Sequence, residues 1–137
     1  MTDRSATELV QEAMPFCASL GARADRYTPE EVVLSLDWGP DLCTTGGILH
    51  GGVIMSLADS AGGACALLNL PKDASGTATI ESKTNFLGAV RSGTVTATAT
   101  PLHVGGTTIV VETSVRDSSG RQVAKVTQTQ IVLRARS

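Results

Sequence analysis

The stretch Val53–Leu70 constrains this chain more than any other feature: eighteen residues, nearly all small or apolar, interrupted by one carboxylate, Asp59. That length approaches what a helix needs to cross a bilayer. Asp59 opposes such a role, because a carboxylate at the bilayer centre costs about 2.5–3.5 kcal/mol on insertion scales. Ser56, Ser60, Gly62 and Gly63 add polarity and weaken the helix further. The better reading is a helix over Gly51–Asn69 inside a protein core. Val53, Ile54, Met55, Leu57, Ala58, Ala61, Ala64, Cys65, Ala66, Leu67 and Leu68 leave it almost no polar face, so it should lie in the middle of the fold.

The flanking segments supply what must surround it. Thr94, Thr96, Thr98 and Thr100 alternate with Val95, Ala97 and Ala99, which is the period of a half-buried strand. Glu31–Trp38 alternates in the same way, and strands are expected near Ala22–Tyr27, Thr77–Leu87, Thr107–Arg116 and Gln122–Leu133. Their turns contain Thr28-Pro29, Arg91-Ser92-Gly93, Gly105-Gly106 and Asp117-Ser118-Ser119-Gly120. Ala6–Met14 reads as a short helix stopped by Pro15. The order α-β-β-α-β-β-β-β predicts an α+β fold, with an antiparallel sheet of five or six strands curling round one long central helix. With 137 residues and no linker or repeat, residues 1–137 are expected to form one domain.

Composition excludes several function classes. A net charge of −2 provides no field for a phosphate backbone, and 3% aromatic residues provide few stacking platforms, so no nucleic-acid partner is expected. Cys17, Cys43 and Cys65 are few, scattered and odd in number, which fits neither a disulfide framework nor a zinc site. No metal ligand set is expected. The first fifteen residues mix acids and bases without an apolar run, so a signal peptide is not expected and the cytoplasm is the default compartment. The Gly47–Gly52 spacing lacks the Lys-Ser/Thr of a phosphate loop, and no Gly-x-Ser-x-Gly occurs.

The chemistry concentrates where loop meets helix. His50-Gly51-Gly52 stands at the helix start, where first-turn amides lack intrahelical partners and the dipole is positive. Glycine lets a ligand approach that backbone, and such a site suits a developing oxyanion. A plain glycine-rich helix start is the simpler alternative. Asp59, an ionisable residue amid apolar neighbours, is either working as a base or nucleophile or capping a loop amide. Gly51 and Asp59 are eight residues apart, roughly 12 Å along one helix at 1.5 Å per residue. One helix therefore cannot aim both at one reacting carbon. Two antiparallel copies can, with Gly51 of one facing Asp59 of the other, so catalysis by this pair implies a dimer.

The run His50-Gly51-Gly52-Val53-Ile54-Met55-Ser56-Leu57-Ala58-Asp59 resembles the hotdog-fold acyl-CoA thioesterases of the phenylacetate-pathway and 4-hydroxybenzoyl-CoA type. Met14-Pro15-Phe16, the segment Thr79–Leu87 and Gly120–Lys125 extend the likeness over most of the chain. The resemblance implies an oxyanion amide at Gly51, with Gly52 beside it in the substrate site. It implies that Asp59 activates water or attacks the thioester, and that His50 holds the carbonyl region. Coenzyme A would then be part of the substrate, with no separate cofactor, and dimers would pair into tetramers. Family members commonly carry Asn or Gln six residues before the histidine, whereas this chain has Thr44, whose hydroxyl is shorter and offers no amide fork. Thr79 falls where relatives place a site hydroxyl. Arg91, Thr107, Thr108 and Arg134 fall where similar enzymes contact nucleotide phosphates, although each arginine could equally be a solvated surface residue. The expected activity is hydrolysis of an aromatic or medium-chain acyl-CoA. A non-catalytic acyl-CoA-binding module is the alternative, and a hydratase on the same fold lacks its Asp–His spacing.

Overall fold

Strand periodicity becomes burial. In β4 (Thr94–Val104), Val95, Ala97 and Ala99 are fully buried, while Thr94, Thr96 and Thr98 on the opposite face stay partly exposed. The same alternation runs through β5 (Thr108–Arg116) and, after Ala124, β6 (Gln122–Leu133), whereas in β2 (Val32–Asp37) Ser35 is buried along with Leu34 and Leu36. With β1 (Arg23–Tyr27) and β3 (Gly76–Phe86), they form one antiparallel six-stranded sheet in the order β1-β2-β4-β5-β6-β3. This computed structural model describes residues 4–136.

The helix α3 (Gly51–Leu68) rests on five of those strands. Its Ile54, Leu57, Ala58, Ala61 and Cys65 meet Leu34, Leu36, Val95, Ile109, Val111 and Val126 in one continuous core. A curved sheet around one helix is the expected hotdog arrangement. Leu57 alone contributes roughly 2 kcal/mol by burial of its side chain, so the packed side of α3 anchors the whole sheet.

Two local expectations are corrected. Pro15 does not merely stop the first helix, α1 (Arg4–Ala13). It opens a second, α2 (Pro15–Leu20), because proline has no N–H to lose at a first helical position and its φ is already helical. Helix α3, nearly apolar all round, is also not enclosed all round. Met55, Asp59 and Leu67 are exposed along one stripe, which the sheet does not cover.

The two sheet edges differ. At β1, Thr7 Oγ1 accepts from the Ala24 amide at 2.9 Å and donates to the Ala24 carbonyl at 3.3 Å. Gln11 Nε2 donates to the Ala22 carbonyl at 2.8 Å. Helix α1 thereby occupies backbone groups of Ala22 and Ala24 along that edge. Strand β3 forms the other edge, eleven residues long, and carries Ile80 and Phe86 exposed.

Candidate active site

The loop before α3 is shaped by Gly46 and Gly47, consecutive residues with φ of 81° and 72°. Only glycine enters that region without strain. The Gly47 carbonyl accepts from Trp38 Nε1 at 3.0 Å, and the Leu49 amide donates to the Val90 carbonyl at 2.8 Å. His50 therefore arrives at a fixed place as the N-cap. Its Nδ1 accepts from the Gly52 amide at 2.8 Å, so in the neutral ring Nε2 carries the hydrogen. The His50 carbonyl accepts from Val53 at 2.9 Å and Ile54 at 3.3 Å. Of the first-turn amides, Gly51 is left as the open donor. The Phe86 ring lies over Gly51, where an added Cβ would come within 3.1 Å of it.

Asp59 stands two turns further on, in an open cleft of about 380 Å³ lined by Phe16, Gly52, Met55, Ser56, Asp59, Ser60 and Ser82. Ser56 and Ser60 spend their hydroxyl hydrogens on the carbonyls of Gly52 (2.7 Å) and Ser56 (2.8 Å) within the helix. Neither is set up as a nucleophile. The carboxylate is the reactive group facing this cleft, and Phe16 and Met55 give it apolar walls.

The other expected site residues are dispersed. Thr44 begins the Thr45–Gly47 turn, makes no side-chain capping bond there, and lines no part of the cleft. Thr79 accepts from Gln130 Nε2 at 2.6 Å, and Ser82 takes the cleft position instead. The physical reason is a β-bulge between Thr79 and Glu81: Thr79 pairs with Gln130 and Ser82 with Gln128, so residues three apart share the inner face. Arg91 follows the residue that bonds Leu49, beside the start of α3. Thr107, Thr108 and Arg134 gather at the far end of β4, roughly 30 Å away at ~3.3 Å per residue. Arg134 is committed there to Asp73, at 2.7 and 3.3 Å, and to the Gly106 carbonyl at 2.7 Å. One copy of the chain thus does not bring the four nucleotide-contact candidates together.

Phe16, Met55, Ser56, Ser60 and Ser82 are cleft residues that the sequence reading passed over. The helical spacing Gly52, Ser56, Asp59/Ser60, Gly63 was a usable signal, since i, i+4, i+7 and i+11 fall on one stripe. Among the described residues no group of three or more His, Cys, Asp or Glu side chains is placed to hold a metal.

Residues 46–124 match the thioesterase superfamily. The chain belongs to that family. Over 129 residues it is 32% identical to the protein named "Putative esterase SSO2140" of Saccharolobus solfataricus, covering 94% of this chain and 91% of that one. Among solved structures it is similar to a mutant of thioesterase PA1618 from Pseudomonas aeruginosa, with TM-score 0.87, 26% identity and 94% of each chain covered. It also resembles thioesterase HI1161 of Haemophilus influenzae, with TM-score 0.85 and 25% identity over 92% of this chain and 88% of that one. The matched segment includes both Gly51 and Asp59.

Proposed function

We propose that this superfamily member hydrolyses acyl-CoA thioesters with aromatic or medium-chain acyl groups, of the phenylacetate-pathway or 4-hydroxybenzoyl-CoA type, to a carboxylate and coenzyme A. The observation that carries the reading is Asp59, a carboxylate exposed to an apolar-walled cleft on an otherwise apolar helix. Asp59 either removes a proton from the attacking water or attacks the thioester carbon itself. In both cases the C–S bond breaks and the thiol leaves; after direct attack, water then hydrolyses the acyl–Asp59 anhydride, which releases the carboxylate and restores Asp59. The developing oxyanion is met by the open amide of Gly51 at the positive end of α3, while His50 offers its Nε2–H beside it. Because Gly51 and Asp59 are two turns apart, the two groups meet across a two-fold dimer, joined at the uncovered β3 edge. Arg91 of one copy can then serve the coenzyme A phosphates alongside Thr107, Thr108 or Arg134 of another. Water and protein groups suffice for the chemistry, which calls for no cofactor.

The test is release of free thiol from a panel containing benzoyl-CoA and hexanoyl-CoA. Wild type should turn over at least one, and Asp59→Asn should lower kcat by about a hundredfold or more with binding retained, the range for a general base. Thr44, lacking the amide that relatives carry at this position, favours a second reading as an acyl-CoA-binding module. Tight binding with no thiol release in the wild type selects that reading.

A further inference from the structure

On the inner face of β6 two glutamines are buried in succession, Gln128 at 0% and Gln130 at 1% exposure. Their circumstances differ. Gln130 has a partner at both ends of its amide: Nε2 donates to Thr79 Oγ1 at 2.6 Å, and Oε1 at 3.1 Å shares the Thr77 hydroxyl hydrogen with the Ile131 carbonyl at 2.9 Å. It ties β3 to β6. Gln128 makes one polar contact, from Nε2 to Asp59 Oδ1 at 3.5 Å, and its Oε1 is buried without a hydrogen-bond partner.

The helix makes room for this amide. A Cβ on Gly62 would lie 1.8 Å from Gln128 Oε1 and 2.5 Å from its Cδ. Gly62 sits inside α3, where glycine is the poorest helix former after proline. Two unfavourable features, a mid-helix glycine and an unpaired buried carbonyl, thus share one consequence: a buried amide donor that is no part of the cleft lining reaches Asp59. A carboxylate accepts only, so the amide must present its NH2 to it. Oδ1 is the oxygen that Gln128 engages, while Asp59 itself lines the cleft. The 3.5 Å separation is at the outer limit of a hydrogen bond, and catalytic hydrogen bonds commonly tighten when substrate is bound.

We propose that Gln128 is the positioning residue for the Asp59 carboxylate, and that Gly62 is required because the Gln128 amide fills the space of its side chain. This rests on the function proposed above. Gln128→Met keeps length and volume without the donor. In Gly62→Ala/Gln128→Ala, the new methyl enters the space that the amide vacates, so folding is preserved while the donor is lost. Free-thiol release from benzoyl-CoA and hexanoyl-CoA should show kcat lowered about ten- to a hundredfold in both variants with KM little changed, the scale of one hydrogen bond to a charged group. The double variant should melt at or above the wild-type temperature. Gly62→Ala alone should lower both kcat and melting temperature. Wild-type turnover that Asp59→Asn abolishes but Gln128→Met and the double variant leave intact overturns this proposal alone. Activity that returns with melting temperature in the double variant does the same, by showing a purely structural role. A wild type that releases no thiol, indistinguishable from Asp59→Asn, overturns the underlying reading and this one with it.

Discussion

In the proposed hydrolysis Gly51 and Asp59 divide the work at residue scale, and each owes its availability to a neighbour. His50 occupies the amide of Gly52 and its carbonyl occupies those of Val53 and Ile54, which leaves Gly51 as the open donor. Gly51→Pro deletes that N–H at a helix start that suits proline, and because its Cβ would also press on the Phe86 ring at 3.1 Å, Gly51→Ala, which adds the same Cβ and keeps the N–H, is its control. The proline variant should lower kcat by about 10²–10³, the usual effect of one oxyanion donor, with KM changed far less. Steady-state kinetics with the best thioester of the panel checks it; full activity would show that the first-turn amide does not meet the oxyanion. Cys65, by contrast, takes no part. Burial pushes its thiol up to about 11, so at neutral pH it is a small packing residue and not a nucleophile.

Among the elements, α2 and the end of β2 show how ordinary local physics places the site. Pro15 starts a short helix that holds Phe16 against the cleft, a wall that a loop would not fix in place. At the other side of the sheet, Asp37 ends β2 and fastens its two neighbours. It accepts from Thr94 Oγ1 of β4 at 2.8 Å and from the Arg23 guanidinium of β1 at 3.1 and 3.2 Å. The Thr94 hydroxyl first, and then Arg23, hold the Asp37 carboxyl below the ordinary value of 3.8. A carboxyl lowered in the folded state adds stability that is complete above its unfolded value and lost as pH falls through the folded one. Asp37→Asn should therefore melt below the wild type at pH 7, with the gap closing as pH drops below about 4. Melting curves across pH 3–7 test the sign. A gap that widens in acid would contradict it. The effect should be small, because the pair is largely exposed and screened.

At the scale of the whole molecule the two edges of the sheet differ in how much backbone they leave open. Thr7 and Gln11 cover the β1 edge, whereas β3 presents open backbone with Ile80 and Phe86 exposed. An uncovered strand of that length is a pairing surface. The protein should sediment as a two-fold dimer or a multiple of it. Ile80→Lys, which sets a charge on that edge, should shift it toward monomer and lose thioester hydrolysis in proportion. Sedimentation and activity measured at one protein concentration separate the outcomes. A monomer with full activity would remove the shared-site geometry.

Much of this architecture was written locally. Gly51–Asn69 reads as a core helix, the Thr-x-Thr-x-Thr run of β4 as a half-buried strand, and His50-Gly51-Gly52 with Asp59 as the candidate site, because each signal depends on periodicity or on residues close in the chain. Pairings between distant residues could not be read that way. The bulge at Ile80 shifts the face of β3 and replaces Thr79 by Ser82 at the cleft, since a strand's partner, not its own alternation, sets its register. The Gln128 amide reaches Asp59 across 69 residues of chain. Arg91 and Arg134, equal as surface arginines in the sequence, end at opposite ends of β4. Local patterning chose the elements and the candidate site residues. Packing of the sheet on the helix decided which side chains meet, because only there do residues far apart in the chain compete for the same space and the same hydrogen bonds.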